Sequence, residues 1–310
     1  MSLRTSALRS LAIFLLAGAA DAQQQQQPQE SSGPPNPHPI ERQQGNPYII
    51  EGDRHYSRRQ DKRVAAIADK GEIAAAVRAY DTASEAADSV EARWKLIRAL
   101  VFQAQYTDID APGRLAVLEK ARRVSENAVG LLEGRVKRAE GKEFAGLTPA
   151  EIAETLRKDT DAPPTFYWGA VAWGQWALAR GKEEATKLGA ADKIRNNATI
   201  LVALDPRFEE GGGYRVLGRL HDQAPRMVAQ TDWISRDEAL RNLRLAIQTD
   251  AGNFANRLFL AEALASGSPA ERAEAVRLAK GLTADAPSPS RLIEELRIQE
   301  QAARDLGSWK

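Results

Sequence analysis

The sequence ALDPRFEEGGGYRVLGRLH, residues 203–221, indicates the fold class. A helical pattern that spans residues 183–204 must stop at Asp205-Pro206, because proline cannot continue a helix. Gly211 to Gly213 then form a turn, and a second helical pattern covers residues 214–222. Two helices joined by a short turn make a hairpin whose apolar face needs neighbouring hairpins to cover it. The stretch therefore predicts one unit of a helical repeat.

Two other stretches repeat the same helix ending, and they extend the prediction along the chain. They are AIQTDAGNF at 246–254 and GLTADAPS at 281–288. A small residue lies midway along the helix after the first two endings, Gly218 and Ala261, and Gly174 and Arg98 occupy equivalent places earlier. A small side chain lets two helices approach closely, which is typical of paired helices. Further helical patterns with a period near 3.6 cover residues 72–87, 90–106, 112–132, 166–180, 235–249 and 253–265.

The fold class predicted for residues 51–310 is therefore all-α, built of tetratricopeptide-like helical hairpins stacked as an α-solenoid. Local signals place several helix starts. Thr148 and Ser235 are expected to cap helices, and Pro149 suits a first turn. We expect Glu209 and Glu210 to lie in a solvated turn.

The first 50 residues have a different character. Arg4 and Arg9 precede the apolar run LAIFLLAGAA at 11–20, and Ala20-Asp21-Ala22 fits a small-x-small cleavage site. These features predict a cleavable signal peptide over residues 1–22, with an uncleaved anchor as the alternative, although the run is about half the length that spans a bilayer. Residues 23–50 are rich in glutamine and proline and are expected to form a disordered linker.

Composition narrows the function classes. The chain has 43 basic and 42 acidic residues and no basic region, so a nucleic-acid partner is not expected. It has no cysteine, which excludes disulfides, thiol catalysis and a lipid-modified N-terminal cysteine. Its three histidines are far apart, and no convergent catalytic set is visible. The sequence therefore predicts a protein that is not an enzyme and that has no cofactor or metal.

Four stretches carry a resemblance to a known family. They are EARWKLIRAL (91–100), TFYWGAVAWGQWA (165–177), ALDPRFEEGGGYRVLGRLH (203–221) and NRLFLAEAL (256–264). They resemble tetratricopeptide repeats and, more narrowly, the T component of the tetratricopeptide-associated TRAP transporters. The resemblance implies a periplasmic helical protein that acts with a substrate-binding protein and handles hydrophobic organic acids. The missing lipid-anchor cysteine departs from the family pattern.

The alternative function is an envelope scaffold that binds only protein segments. Both interpretations place the mature chain in the periplasm or outside the cell, without a transmembrane segment, and both leave homo-oligomerisation open.

The candidate binding groove follows from helical geometry and from the resemblance. Residues three before, one after and four after each small residue are expected to face the concave side. The predicted groove residues are Trp168, Val171, Gln175 and Leu178 around Gly174, Arg215, Arg219 and Asp222 around Gly218, Leu258, Glu262 and Ala265 around Ala261, and Lys95, Ala99 and Phe102 around Arg98. An apolar patch beside an arginine pair suits a ligand with a hydrophobic body and an anionic head.

Two alternatives remain open for these groove residues. Trp168, with the nearby Trp173 and Trp176, is also suited to packing between helices. Arg215 and Arg219 are also suited to pairing with Asp222 or with surface glutamates. If the arginines bind ligand, reversing both charges should abolish binding and leave the helical fold unchanged.

Overall fold

The computed structural model describes residues 45–227 and 232–309, and within its ninth helix it describes side chains as far as residue 224. The predicted signal peptide with its cleavage site at Ala20 and Ala22, and most of the predicted linker, lie outside these residues. The described chain forms thirteen α-helices: α1 Pro47–Ser57, α2 Lys70–Ala86, α3 Val90–Tyr106, α4 Ala111–Glu140, α5 Pro149–Leu156, α6 Ala162–Arg180, α7 Lys182–Lys187, α8 Ala190–Leu204, α9 Gly212–Met227, α10 Arg236–Thr249, α11 Phe254–Ala265, α12 Pro269–Ala284 and α13 Leu292–Ser308.

A two-residue antiparallel hairpin, β1 (Arg63–Val64) and β2 (Ile67–Ala68), is the sheet within the described residues. Two short 3-10 turns complete the order, Phe144–Gly146 and Pro289–Arg291. The all-α prediction is confirmed. Among the residues described here, no helix is both long and apolar enough to cross a membrane.

The helices form two layers, and the contacts between helices define them. Each of α1, α3, α9 and α11 packs against the helix that follows it, as a hairpin does, and α6 packs on α8 across the short α7. The helices α3, α6, α9, α11 and α13 also contact one another in succession. The outer helices α2, α4, α8, α10 and α12 flank them. The inner helices thus form a continuous row of direct contacts, as in other helical repeats.

The predicted helix caps are present, with one difference. Thr148 forms a capping box with Glu151, and Ser268 forms one with Glu271. Ser235 accepts hydrogen bonds from the backbone N–H groups of Asp237 and Glu238. The spacing of Ser235 and Glu238 (S-x-x-E) also predicts a reciprocal capping box, but the Glu238 carboxylate contacts the exposed Arg241 guanidinium, one turn ahead, and does not bond back to Ser235.

Several helix boundaries differ from the prediction. Helix α1 begins at Pro47, inside the predicted linker, because Asn46 caps it and Ile49 is buried. The helix predicted over residues 183–204 is two helices, since Gly189 adopts a left-handed conformation with φ 64° between α7 and α8. Helix α4 continues to Glu140, where Gly141 ends it in the left-handed region.

Gly218 allows the close helix pairing that the repeat pattern predicted. A Cβ atom at this position would lie 2.6 Å from Leu243 Cγ and 3.0 Å from the Leu243 backbone nitrogen. No carbon atom fits at such distances, so α9 and α10 could not keep this spacing with a larger residue.

The two ends of the repeat meet. Arg59, just after α1, donates hydrogen bonds to the Ser290 carbonyl (2.9 Å) and to Glu294 Oε1 (3.1 Å). Gln60 Nε2 donates to the carbonyl of Ser290, and Gln60 Oε1 accepts from the Ile293 backbone. We call this contact the seam. It joins the segment after α1 to α13, so the two ends of the described repeat are in contact. We call the region between the seam and the inner helices the lumen.

Candidate functional site

The apolar groove residues predicted from the sequence lie in the core. Trp168, Val171 and Leu258 are buried, as are Ala99 and Phe102. Trp173 and Trp176 pack edge to face on the same helix, with ring centroids 5.5 Å apart. This geometry fits the packing alternative for the tryptophan-rich helix.

The remaining uncharged or basic members of the predicted groove are half-buried or are bonded to other side chains of the protein. Leu178 and Ala265 are half-buried. Gln175 is buried and accepts a hydrogen bond from Gln105 (2.6 Å). Lys95 bridges Asp53 and Glu91, with its Nζ atom 2.7 Å from a carboxylate oxygen of each.

Arg215 is a fully buried hub that joins three inner helices. Its Nη1 donates to Asn256 Oδ1 on α11 (2.8 Å), and its Nη2 donates to the Tyr167 hydroxyl on α6 (2.8 Å). Nη1 also donates to the Glu209 carbonyl (3.1 Å). The guanidinium that the sequence assigned to a ligand is therefore bonded to the protein itself.

Arg219 brings three predicted groove residues together. Its Nη1 lies 3.1 Å from Asp222 Oδ2 and 2.5 Å from Glu262 Oε2. Asp305 on α13 is the next carboxyl in this acidic cluster, and it lies within hydrogen-bonding reach of Glu262. Burial raises the pKa of Glu262 to about 7, against the opposing charge of Arg219, and burial also raises the pKa of Asp305. Arg219 therefore pairs with Asp222, which is the alternative to ligand binding that the sequence left open.

A strained turn positions the carboxyl groups of Glu209 and Glu210. Glu209 (φ 50°) and Glu210 (φ 57°) are left-handed, a conformation that costs non-glycine residues about 1 kcal/mol each. Glu210 binds Arg291 (2.6 Å) and Asn253 (2.5 Å). Glu209 is half-buried, and the charges of Arg215 and Arg98 act on its carboxyl.

The Glu209 carboxyl is not the solvated group that the sequence predicted. Burial raises its pKa to about 8, although Arg215 opposes this shift. Its Oε2 atom is buried and has no hydrogen-bond partner. The carboxyl is therefore mainly protonated at neutral pH.

Arg98 is the residue that the sequence placed among the small helix-pairing positions. Only 8% of its surface is exposed, and its guanidinium stacks on Tyr56, with Cζ 3.9 Å from the ring centroid, and lies 5.1 Å from that of Trp94. Within the described part of the chain it makes no hydrogen bond and has no carboxylate within 4.0 Å. Its role depends on burial, which no local sequence pattern reveals.

Two further buried polar groups near Arg98 and Glu209 lack a hydrogen-bond partner among the described residues. The Tyr106 hydroxyl and Glu294 Oε2 are buried and make no hydrogen bond. The charges of Arg98, Glu294 and Glu209 all act on the Tyr56 hydroxyl, whose pKa is raised mainly by burial. These groups therefore surround one region, the lumen site, which consists of Tyr56, Trp94, Arg98, Tyr106, Glu209 and Glu294. Over residues 45–227 and 232–309, no cluster of three metal-ligating side chains is present.

In comparisons with known proteins, no family model matches the chain and no curated protein shows significant similarity to it. Function is therefore inferred from the lumen site itself, with its buried arginine and its polar groups without hydrogen-bond partners in the described residues.

Proposed function

We propose that the chain is an exported, non-enzymatic helical-repeat binding protein that holds a small molecule with a hydrophobic body and an anionic head. By its resemblance to the TRAP transporter T component, it acts with a protein partner such as a periplasmic substrate-binding protein. The observation that carries the small-molecule part is the lumen site, where buried polar groups have no partner among residues 45–227 and 232–309. A buried polar group without a partner costs free energy, so such a set indicates a ligand.

The seam favours this function over the envelope scaffold. A scaffold that binds protein segments uses an open concave face. Here the seam joins the segment after the first helix to the last helix, and most predicted groove residues are buried. Buried polar groups that are covered in this way suit a small molecule better than an extended peptide.

Native mass spectrometry of the protein purified from the cells that make it tests the proposal. We expect a small acid to co-purify with the protein and to dissociate on unfolding. A stoichiometric protein partner with no small molecule would support the scaffold instead. The same chain refolded in ligand-free buffer is the control for adducts from purification.

Export is tested by the mass of the mature chain. Cleavage after Ala22 gives a protein that begins at Gln23 and carries 41 basic and 41 acidic residues. Intact-mass measurement on the periplasmic fraction should show this species. A mature protein that begins at Met1 would contradict export by this signal.

A further inference from the structure

Five arginines are buried in the described structure, and four of them have partners. Arg59 binds Glu294, Arg122 binds Glu119 and Glu126, Arg215 binds Tyr167 and Asn256, and Arg219 binds Asp222 and Glu262. Arg98 is the fifth, and among the described residues it has neither a hydrogen bond nor an ion pair. Its guanidinium charge is therefore held by aromatic contacts without a carboxylate within 4.0 Å in the described chain.

Arg122 is a matched comparison within the same molecule. Both arginines are 8% exposed, and both stack on two aromatic rings. Arg122 lies about equally far from Trp173 (5.0 Å) and Trp176 (5.1 Å), and carboxylates lie 2.6 and 2.9 Å from its nitrogens. The two sites differ in their carboxylates: Arg122 pairs with Glu119 and Glu126, whereas no carboxylate of the described residues lies within 4.0 Å of Arg98.

The Arg98 guanidinium stacks on Tyr56 and makes no hydrogen bond to the described residues. Its Cζ atom lies 3.9 Å from the centroid of the Tyr56 ring, and its Nε atom is buried without a hydrogen-bond partner. The N–H donors of a guanidinium lie in its plane, so a ring on its face does not occupy them. Two oxygens of one carboxylate fit such donors in a bidentate arrangement. Trp94, one helical turn before Arg98, is half-buried, and its ring centroid lies 5.1 Å from the guanidinium.

The neighbouring carboxyl does not neutralise Arg98. Because burial raises the pKa of Glu209 to about 8, its carboxyl is mainly neutral at pH 7 and is able to donate a hydrogen bond to an anion. One permanent positive charge and one neutral donor match a single negative charge better than a doubly charged phosphate.

We propose that Arg98 is the anion-binding residue of the lumen site and that it takes the carboxylate of a monocarboxylic acid whose apolar part lies against Trp94. This inference rests on the proposed function, because it names the site and charge of the ligand.

Without ligand, the protein carries in its interior the charge of Arg98, which is unpaired among the described residues, and this should lower its stability. Burying a charge without a partner is destabilising, so Arg98→Met should raise the melting temperature of the ligand-free chain by about 3 °C. Arg122→Met removes a paired charge and should lower the melting temperature by a similar amount. A purely structural Arg98 would behave like Arg122.

The binding test uses calorimetric titration of the full chain, freed of ligand by refolding, at pH 7. The probes are sodium octanoate, octan-1-ol as the neutral analogue, and sodium phosphate. We expect octanoate to bind the wild type, and Arg98→Met to weaken this binding roughly tenfold or more, because a charge-assisted hydrogen bond is lost. Arg122→Met should bind octanoate within about twofold of the wild type, while octanol should bind at least tenfold more weakly and phosphate should not bind.

Three results would overturn the inference: no binding of octanoate by the wild type, equal binding by Arg98→Met, or a loss of stability in Arg98→Met equal to that in Arg122→Met. Native mass spectrometry separates this failure from that of the proposed function. A small acid that co-purifies equally with the wild type and Arg98→Met leaves the function standing and removes Arg98 from it. No co-purified molecule and no octanoate binding would reject both.

Discussion

Arg215 connects three inner helices through one side chain. It is fully buried, and its donors reach Tyr167 on α6, Asn256 on α11 and the Glu209 carbonyl. The same bonds hold the strained turn that places Glu209 in the lumen. The structure therefore predicts that substituting Arg215 affects folding, whereas the sequence pattern predicted an effect on binding alone.

Arg215→Met should lower the free energy of unfolding by about 3 kcal/mol, because it leaves buried acceptors without a donor. Urea denaturation followed by circular dichroism measures the change. The matched control is Arg207→Met in the same connection, where the exposed side chain should change stability by less than about 0.5 kcal/mol. Equal effects of the two substitutions would contradict the structural role.

Glu262 gives the chain a pH dependence of defined sign. The groups that act on it are Arg219 and Asp222 from α9 and Asp305 from α13. Since its folded pKa is raised to about 7 from the ordinary 4.5, its contribution to stability is fully present below pH 4.5 and is lost as pH rises through 7.

Glu262→Gln should therefore reduce the loss of stability between pH 4.5 and 7, by roughly 2–3 kcal/mol. Chemical denaturation at several pH values measures it, and the exposed Glu183→Gln serves as the control. If Glu262→Gln keeps the wild-type pH profile, the carboxyl does not titrate as described.

At the scale of elements, helix spacing is set by single small residues. Gly218 faces Leu243 across the α9–α10 contact, where any Cβ atom meets the partner helix. Gly130, in the interior of α4, is exposed, and a Cβ atom there would meet nothing within 4 Å. The two glycines differ in packing alone, since both lie within helices.

Gly218→Ala should destabilise the protein by about 1–3 kcal/mol through overpacking. Gly130→Ala should stabilise it by about 0.5–1 kcal/mol, because alanine is the better helix former. Thermal unfolding of both variants measures the signs. A stabilising Gly218→Ala would mean that α9 and α10 separate without cost.

The seam joins the two ends of the described repeat. Arg59 and Glu294 are each about 3% exposed and lie 235 positions apart in sequence, yet they form a direct ion pair. Gln60 and Arg297 add hydrogen bonds to backbone groups on the opposite side. The contact between the two ends thus depends on side chains of the segment after α1 and of α13.

Arg59→Met alone should cost about 3–5 kcal/mol, since it leaves Glu294 buried and unpaired. The double substitution Arg59→Met with Glu294→Leu should recover much of this loss, because both charges are then gone. Hydrogen exchange should show faster opening of α1 and α13 in the single variant. Additive effects of the two substitutions would indicate that the pair is not coupled.

Much of the local structure followed from the sequence. Helix α8 ends just before Asp205-Pro206, and Thr148 and Ser235 cap their helices, as the sequence predicted. Gly218 lies at a close helix pair. Each of these effects acts within one or two turns of chain, which is why the sequence reveals it. The break at Gly189 and the early start of α1 were missed. There the local pattern is ambiguous, and packing or a left-handed glycine decides the boundary.

The sequence by itself determined an all-helical chain of paired helices, because helix periodicity, caps and small residues are encoded locally. Only the tertiary structure decided which arginine lacks a partner. Arg215 and Arg219 found acceptors on α6 and α11, and Arg98 did not, although all three lie on helices of the inner layer. The partners that satisfy a buried charge come from distant helices, so the packing of the inner helices, rather than any motif, set the chemistry of the lumen.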